Sequence, residues 1–295
     1  MRYSFVVALL VCFVWSGAGW AADVAKFEVG KATVWAIADS ISEREMSVFP
    51  GVDQEVISRY APSGKSPSST MTFLVKTGES NETILIDTGM GAPSGDRASQ
   101  LIPGLKEAGV APEDVTLILI THMHGDHIGG LVRDGAKAFP SARVLSPRIE
   151  LDFWLDEKSV ELFTARKANF EMARDIFGLY GPSSQTFEFG DVVTPGIQAV
   201  DARGHTPGQA AFLLESEGKK LLFWADIVHA AALQFPRPDL NPQYDMDPAE
   251  AGAARLRFME KAATEKLPVA GSHLPFPSVG EVAKDAAGGY TYTSY

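Results

Sequence analysis

Short apolar runs with alternating polar positions predict strands along this chain, and helical periodicities separate them. Residues 27–37 (FEVGKATVWAI) predict one strand, and residues 71–89 (MTFLVKTGESNETILIDTG) predict a hairpin around a Gly-Glu-Ser-Asn turn. Residues 96–109 carry apolar side chains at helical spacing and end on a glycine. Residues 115–120 (VTLILI) form a continuous apolar run, which is typical of a strand that is buried on both faces.

The second half of the chain repeats this order of elements. Residues 141–155 predict a short strand and then a helix that Ser146 caps, with Pro147 at its first position. Residues 159–177 predict one further helix. The remaining predicted elements are a hairpin over 210–226, a helix over 247–267, a short strand within 267–273 and an edge strand over 288–295. This alternation favours two mixed sheets packed face to face with helices outside, in one domain.

Three of the six histidines lie within six residues, in the sequence THMHGDHIGG that follows the buried run. Residues two apart on an extended segment point the same way, so His122 and His124 can bind one ion. Asp126 and His127 then face a neighbouring position. One ion takes about four protein ligands at most, so this density of ligands indicates two ions.

Other candidate ligands lie far along the chain, each where a strand gives way to a loop. His205 lies in GHTPGQ, Asp226 ends KLLFWAD and His273 ends LPVAGSH. Such loop positions commonly carry functional groups on a rigid scaffold. His229, the sixth histidine, is as compatible with a hydrogen-bonded buried side chain as with a contact to substrate. Imidazole and carboxylate ligands together suit zinc, manganese, iron or cobalt.

Charge and the N-terminal segment narrow the choice of partners and compartment. The formal net charge is -11 over 295 residues, which disfavours nucleic acid as a partner. Arg2, an apolar run and small residues predict a signal peptide over 1–21 and a mature domain over 22–295, periplasmic or secreted and without stable membrane association. An uncleaved membrane anchor is the alternative. Cys12 is the only cysteine, so the mature domain would have no thiol for catalysis, disulfides or metal binding.

The histidine and aspartate pattern resembles the dinuclear metal set of the metallo-β-lactamase fold superfamily. The matching residues are His122, His124, Asp126, His127, His205, Asp226 and His273. LIDTG around Asp87 looks like the motif that supports the metal loop in that superfamily. The resemblance implies an α+β fold, namely an αββα sandwich of two mixed β-sheets flanked by helices, with the site at one edge.

Longer segments resemble methyl parathion hydrolase and its lactonase and arylesterase relatives. These segments are ITHMHGDHIGGL, APSGDRASQL, GHTPGQAAFLLESEGKKLLFWADIVHAAALQF and GGYTYTSY. The resemblance implies a secreted or periplasmic bacterial enzyme, and a homodimer is compatible with it. Ala225 departs from the pattern, because that group is expected to have glycine before the metal aspartate. The lack of cysteine argues against true β-lactamases that carry a cysteine at the position of Asp226.

The resemblance also implies a role for each residue. The implied arrangement is one cation held by His122, His124 and His205, a second held by Asp126, His127 and His273, and Asp226 as a bridge. Asp226 and Asp126 would be catalytic, the latter by passing a proton to the leaving group. Asp87 would orient a ligand imidazole through its other ring nitrogen. We expect two divalent ions, zinc before manganese, cobalt or iron.

Aromatic side chains around the predicted site favour a small uncharged substrate that is apolar at one end. The candidates for this pocket are Trp154, Phe163, Phe170, Phe177, His229 and Phe235. We expect a hydrolase of lactones or aryl esters with phosphotriester hydrolysis as a side activity. The alternatives are a dedicated organophosphate hydrolase, an acyl-homoserine lactonase, an iron-dependent thiol dioxygenase and a non-catalytic metal-binding module.

Overall fold

The computed structural model describes residues 22–91 and 99–295; the predicted signal peptide and part of the APSGDRASQL segment therefore lie outside the described residues. In chain order the strands are β1 (Val24–Val29), β2 (Ala32–Glu45), β3 (Lys65–Lys76), β4 (Ile84–Ile86), β5 (Leu117–Leu119), β6 (Val132–Arg133), β7 (Ala136–Lys137), β8 (Arg143–Pro147), β9 (Ser184–Phe187), β10 (Val192–Thr194), β11 (Ile197–Asp201), β12 (Ala210–Ser216), β13 (Lys219–Phe223), β14 (Val269–Ala270), β15 (Val279–Lys284) and β16 (Tyr290–Ser294).

Helices of the described residues lie mainly between the strands. The α-helices are α1 (Gln54–Tyr60), α2 (Leu101–Glu107), α3 (Gly125–Ile128), α4 (Arg148–Leu155), α5 (Glu157–Leu162), α6 (Lys167–Tyr180), α7 (Ala231–Gln234) and α8 (Pro248–Glu265). Single 3-10 turns lie at Met46–Val48, Pro112–Asp114, Gly129–Leu131, Thr164–Arg166, Gly181–Ser183 and Ala225–Ile227. Within the described ranges, none of these helices is long and apolar enough to cross a membrane.

Two seven-stranded mixed sheets form the centre of the molecule. The first has the order β1-β2-β3-β4-β5-β8-β9, in which β4, β5, β8 and β9 are mutually parallel. The second has the order β10 to β16, antiparallel except for the parallel pair β13 and β14. The predicted edge strand is confirmed as β16.

Three apolar layers explain why these strands pack as they do. Leu117 and Leu119 of β5 face the layer between the sheets, where the rings of Phe73 and Phe223 lie 5.1 Å apart. Ile118 points the other way, into the layer beneath α2, α4 and α6. A third layer lies between the second sheet and α8. Burial of β5 on both faces accounts for its unbroken apolar run, and the predicted αββα sandwich is confirmed.

Three local predictions differ from the structure. Residues 27–37 form two strands, because Gly30 turns the chain with φ +61° where a Cβ would lie 2.2 Å from the carbonyl oxygen of Ser216. Ser146 lies within β8 and does not cap α4, since Pro147 is both the last residue of β8 and the N-cap of α4. Residues 159–177 are not one helix, because the backbone leaves the helical region at Phe163.

Two β-α-β units bring the functional loops to one edge of the sandwich. In the first sheet, β4 and β5 are parallel neighbours joined through α2, and Asp87 follows β4 directly. In the second sheet, β13 and β14 are parallel neighbours joined through α8, and Asp226 lies three residues beyond β13. Because the carboxyl ends of parallel neighbours meet at one sheet edge, residues from distant parts of the sequence come together there.

Candidate metal centre

All seven predicted ligands converge at this edge, and three histidines form a first group. Nδ1 of His124 lies 3.1 Å from Nε2 of His122 and 3.0 Å from Nε2 of His205. Burial lowers the pKa of His122 and His124 well below the usual histidine value, so both rings are neutral near pH 7. Three nitrogens therefore converge on one point with at least two lone pairs available.

A second group lies beside the first. Nε2 of His127 lies 3.7 Å from Oδ1 of Asp126, and Nε2 of His273 lies 3.4 Å from Oδ2 of Asp126. Both aspartate oxygens thus face imidazole nitrogens from two loops. In each group the ligand atoms lie within 4.8 Å of one another, which is compatible with one cation per group.

Asp226 lies between the two groups. Its Oδ1 is 3.3 Å from Nε2 of His127, in the second group. Its Oδ2 is 3.4 Å from Nε2 of His205, in the first group, and 3.0 Å from Nε2 of His273, in the second. One carboxylate can therefore contact both cations, as expected of a bridging ligand.

Unpartnered buried atoms show that this donor set fits divalent metal ions. Nε2 of His127 and Oδ1 of Asp226 are buried and face each other at 3.3 Å, but neither has a well-aligned hydrogen-bond partner within residues 22–91 and 99–295. Facing imidazole lone pairs repel one another, and buried polar atoms without partners are costly. Nitrogen and carboxylate ligands at these positions suit zinc and neighbouring metals, so a cation in each group resolves both problems.

Neighbouring groups hold the second ring nitrogen, Nδ1, of His127 and of His122. Nδ1 of His127 donates to Oδ2 of Asp87 at 2.8 Å, and Asp87 also accepts from the backbone N–H and the hydroxyl of Thr121 at 2.8 and 2.7 Å. The Thr121 hydroxyl in turn accepts from Nδ1 of His122 at 3.1 Å. These bonds fix the tautomers that leave Nε2 of both rings free as a ligand. Asp87 therefore lies where it can orient the ring of His127 through Nδ1.

His205 and His273 have supports that the sequence did not indicate. Nδ1 of His205 lies 2.9 Å from Oδ1 of Asp245, whose other oxygen accepts from the buried Arg255 at 3.0 Å. Nδ1 of His273 donates to the carbonyl oxygen of Ser69 on β3 at 2.9 Å. Asp245 lies in a loop 40 residues from His205, and no motif marks it.

Glu150 of α4 joins two of the metal-ligand loops. Its Oε1 accepts from the backbone N–H of Met123 at 3.0 Å, and its Oε2 accepts from the hydroxyl of Thr206 at 2.8 Å and the N–H of Gly208 at 2.8 Å. Trp154 donates a fourth hydrogen bond at 2.6 Å. The carboxylate thus ties the loop of His122 and His124 to the loop of His205, although burial raises the pKa of Glu150.

Close backbone contacts explain the glycines that follow the histidine motif. A Cβ at Gly129 would lie 2.1 Å from the carbonyl oxygen of Met90, and one at Gly130 would lie 1.9 Å from that of Thr88. These residues therefore let the histidine loop pack against the loop of Asp87. Ala225, expected to be glycine, has φ +53°, which alanine adopts only with strain.

Two histidines of the second group differ from the first in charge. Burial opposes protonation of His273, but the nearby carboxylates of Asp226 and Asp126 raise its pKa to about 9. Burial likewise opposes protonation of His127, whose pKa the carboxylates of Asp226, Asp126 and Asp87 raise well above the usual value. Without metal, these two rings are cations near neutral pH.

Metal binding is therefore expected to release about two protons per chain from His127 and His273 near neutral pH, because ligand imidazoles must be neutral, and ionisation of a metal-bound water would add to this number. His122 and His124 contribute none, since their pKa values are low. The release should fall as the pH rises through about 9, where His273 loses its proton without metal. Calorimetric zinc titrations in PIPES and in HEPES, which differ in ionisation enthalpy and bind zinc only weakly, measure this number. Zinc binding without proton release near pH 7 would contradict the charge assignment.

Asp87→Asn is expected to weaken zinc binding by roughly 10–100-fold, because the amide presents an NH2 group to one of the three donors that the carboxylate accepts from. Competition with a chromophoric chelator measures the affinity, and thermal unfolding verifies that the variant folds. The matched control is Asp134→Asn in an exposed turn, which should bind zinc as the parent does. Equal affinities in all three proteins would refute the supporting role of Asp87.

A cavity of about 290 Å³ opens onto the two groups. Besides ligand residues, its lining consists of His229, Gly125, Asn169, Tyr244, Arg44 and Arg166. His229 is buried, with Nε2 3.2 Å from Oδ2 of Asp226 and Nδ1 without a partner within the described part of the chain. Of the six predicted pocket residues, the structure brings only His229 to this lining.

The aromatic pocket expected from the sequence is corrected by the structure. Trp154, Phe170 and Phe177 lie in the apolar layer beneath α4 and α6, where the first two rings are 4.6 Å apart. Phe235 lies in the layer beneath α8, and Phe163 packs against Phe153 at 5.4 Å. Trp154 still contacts the ring of His124 at 5.7 Å, but from the core side. Apolar packing beneath the helices accounts for Trp154, Phe170, Phe177 and Phe235, whereas Phe163 is 38% exposed outside the lining of the cavity.

Comparison with known proteins gives a family and several relatives. The sequence model of the metallo-beta-lactamase superfamily matches residues 66–272. An N-acyl homoserine lactonase from Bacillus sp is 26% identical over 156 residues, which is 52% of this chain and 55% of the relative. A second one, from Bacillus cereus, is 27% identical over 130 residues, 44% of this chain and 45% of the relative. The chain spans about half the length of these curated relatives.

Two solved structures are similar over nearly the whole chain. One is a hydrolase of the beta lactamase superfamily called AbOPH, with TM-score 0.85, 30% identity and coverage of 94% of this chain and 99% of that chain. The other is AidC, described as a dizinc quorum-quenching lactonase, with TM-score 0.85, 26% identity and coverage of 93% and 98%. These matches agree with the observed topology of the two sheets.

Proposed function

This chain belongs to the metallo-beta-lactamase superfamily, and from that premise we propose that it is a hydrolase that uses two divalent metal ions, zinc by preference, to open small lactones. The observation that carries the proposal is the position of Asp226, whose two oxygens face both ligand groups at the base of one cavity. Relatives described as lactonases support the choice of a lactone over other acyl substrates.

The residues of the chain divide the work of ester hydrolysis. When bound, two divalent cations lower the pKa of a shared water to near neutrality and polarise the substrate oxygen. Asp226 holds the two positions together, and Asp87 keeps Nε2 of His127 directed at the second one. Asp126 is partly exposed and lines the cavity, so its carboxylate is placed to accept the proton that the attacking water-derived nucleophile still carries and to pass it to the leaving alkoxide.

The size of the cavity favours a small substrate. Its volume of about 290 Å³ lies at the lower end of the range for ligand pockets. A five- or six-membered lactone fits such a space, and aryl esters present the same scissile carbonyl. Acyl-homoserine lactones are candidates whose acyl chain would extend out of the cavity. Phosphotriesters require the same polarised oxygen and are proposed as side substrates.

A hydrolysis panel with metal analysis on the same sample tests the proposal. The panel comprises γ- and δ-lactones, N-acyl homoserine lactones, aryl acetates, paraoxon-type triesters and a cephalosporin. We expect the highest kcat/KM on a lactone, two metal ions per chain, and loss of activity after chelation that zinc restores. Faster turnover of triesters would favour a dedicated organophosphate hydrolase instead. Full metal loading without any turnover would favour a non-catalytic metal-binding module.

Export and assembly stay predictions. We propose that residues 1–21 direct the chain to the periplasm or the medium and are removed there. N-terminal sequencing of protein from these fractions would then begin at Ala22, and a retained Met1 would contradict removal. Sedimentation of the purified protein tests the proposed homodimer. A mass of two chains is expected, and a mass of one chain would contradict it.

A further inference from the structure

Two arginines line the cavity beside the metal ligands. Arg44 lies near the end of β2, and Arg166 lies in the turn before α6. Within the described ranges, neither forms an ion pair with a carboxylate, although other buried or half-buried arginines such as Arg255 do. A cation that is partly withdrawn from water without a counter-ion destabilises the fold, so these two arginines are candidates for binding an anionic ligand.

The guanidinium of Arg44 has few acceptors, since Nη1 donates only a long hydrogen bond of 3.5 Å to the hydroxyl of Tyr244. It lies over the ring of Tyr244 at 5.4 Å, and its buried Nε has no hydrogen-bond partner among the described residues. One terminal nitrogen lies 3.4 Å from Nδ1 of His273. That Nδ1 already carries the hydrogen that it donates to the carbonyl oxygen of Ser69, so it cannot accept from Arg44.

Arg166 is in a similar position. One terminal nitrogen donates to the carbonyl oxygen of Tyr244 at 2.8 Å, and the other lies 3.1 Å from Nε2 of His124. Nδ1 of His124 faces the nitrogens of His122 and His205 and is the atom placed to bind metal. In that tautomer Nε2 carries the hydrogen, so the second guanidinium nitrogen also faces a donor.

We propose that Arg44 and Arg166 bind a carboxylate of the substrate, so that the preferred substrate is a lactone or ester that carries a second, anionic group. This inference rests on the proposed hydrolase function. A carboxylate supplies the acceptors that both guanidinium groups lack, and its planar pair of oxygens matches a guanidinium fork. The remaining non-ligand lining includes Asn169 and Tyr244, which are polar as well. The uncharged, partly apolar substrate expected from the sequence fits this lining less well.

Local charge supports the same conclusion. The chain as a whole has a net charge of -11, yet the two guanidinium groups in this cavity offset the carboxylates of Asp126 and Asp226, so bound divalent ions would leave the cavity cationic. A cationic cleft in an acidic surface concentrates anionic ligands and orients them. The second carboxylate would therefore direct the scissile carbonyl toward Asp226 and the two ligand groups.

Two esters with the same leaving group test this inference. Mono-4-nitrophenyl glutarate carries a free carboxylate, and 4-nitrophenyl pentanoate has an acyl chain of equal length without it. We expect the zinc-loaded protein to favour the glutarate ester in kcat/KM by roughly tenfold or more, as one or two charge-assisted hydrogen bonds would give. Arg44→Met and Arg166→Met should each reduce this preference roughly tenfold. The control Arg133→Gln, at an exposed site, should keep the parental preference.

A binding measurement separates this inference from the proposed function. Calorimetry on the zinc-loaded protein with N-methylglutaramate should show binding that either methionine variant weakens roughly tenfold. If the zinc-loaded protein cleaves neither these esters nor any lactone of the panel, the proposed function fails, and the calorimetric affinities still decide the role of the arginines. If both esters are cleaved equally and the variants leave preference and affinity unchanged, the inference is overturned while the hydrolase stands. Arg44→Lys and Arg166→Lys replace any methionine variant that does not fold.

Discussion

Asp226→Asn is expected to lower kcat/KM for lactone opening by about 10³-fold or more. Among the seven ligand side chains, Asp226 is the carboxylate that reaches both groups, through Oδ1 toward His127 and through Oδ2 toward His205 and His273. An amide keeps one acceptor and turns an NH2 group toward an imidazole nitrogen. Loss of a bridging charge costs several kcal/mol of transition-state stabilisation, and about 1.4 kcal/mol corresponds to a tenfold rate.

Metal content and kinetics must be measured on the same Asp226→Asn sample. We expect fewer than two zinc ions per chain at a concentration that saturates the parent protein. The matched control is Asp239→Asn, which removes a carboxylate that pairs with Arg237 on the surface. That control should keep both metal ions and the parental rate. Full metal content together with a full rate in Asp226→Asn would refute the bridging role.

Glu150→Leu is expected to lower the free energy of unfolding by about 3–5 kcal/mol, a large fraction of the stability of a typical domain. The buried carboxylate accepts four hydrogen bonds, from the backbone of Met123 and Gly208 and from the side chains of Thr206 and Trp154. Leucine leaves all four donors without an acceptor. Each donor that water does not reach then costs about 1–3 kcal/mol of stability.

Urea unfolding in the presence of a chelator measures this effect without a contribution from bound metal. Glu150→Gln should lose less than Glu150→Leu, because one side-chain oxygen still accepts from two donors. Glu161→Gln on the exposed face of α5 serves as the control and should unfold as the parent does. A change of less than about 1 kcal/mol in Glu150→Leu would show that the four donors are satisfied by other groups.

Sequence reasoning located the ligand residues partly from local spacing and partly from the resemblance to a known superfamily. His122, His124, Asp126 and His127 lie in one loop, Asp226 and His273 each end a predicted strand, and His205 lies in a loop before a predicted hairpin. Period-two geometry and the ends of strands are visible in a single sequence. The αββα layers were predictable because β5 is apolar at every position. Such a strand is buried on both faces and therefore lies between two layers.

Residues that act through tertiary contacts were not predictable. Glu150 reaches its donors across 27 and 58 residues of sequence, and Asp245 reaches His205 across 40. Arg44 and Arg166 belong to different elements and carry no motif. Trp154 and Phe170 were misassigned because helical periodicity marks a buried face without telling core from pocket.

Anomalous diffraction at the zinc edge, from crystals grown with zinc, tests the central claim most directly. We predict two peaks roughly 3.5–4 Å apart. One peak would be bound by His122, His124 and His205, the other by Asp126, His127 and His273, with Asp226 in contact with both. A single peak, or a pair that Asp226 does not contact, would contradict the binuclear site on which the proposed function depends.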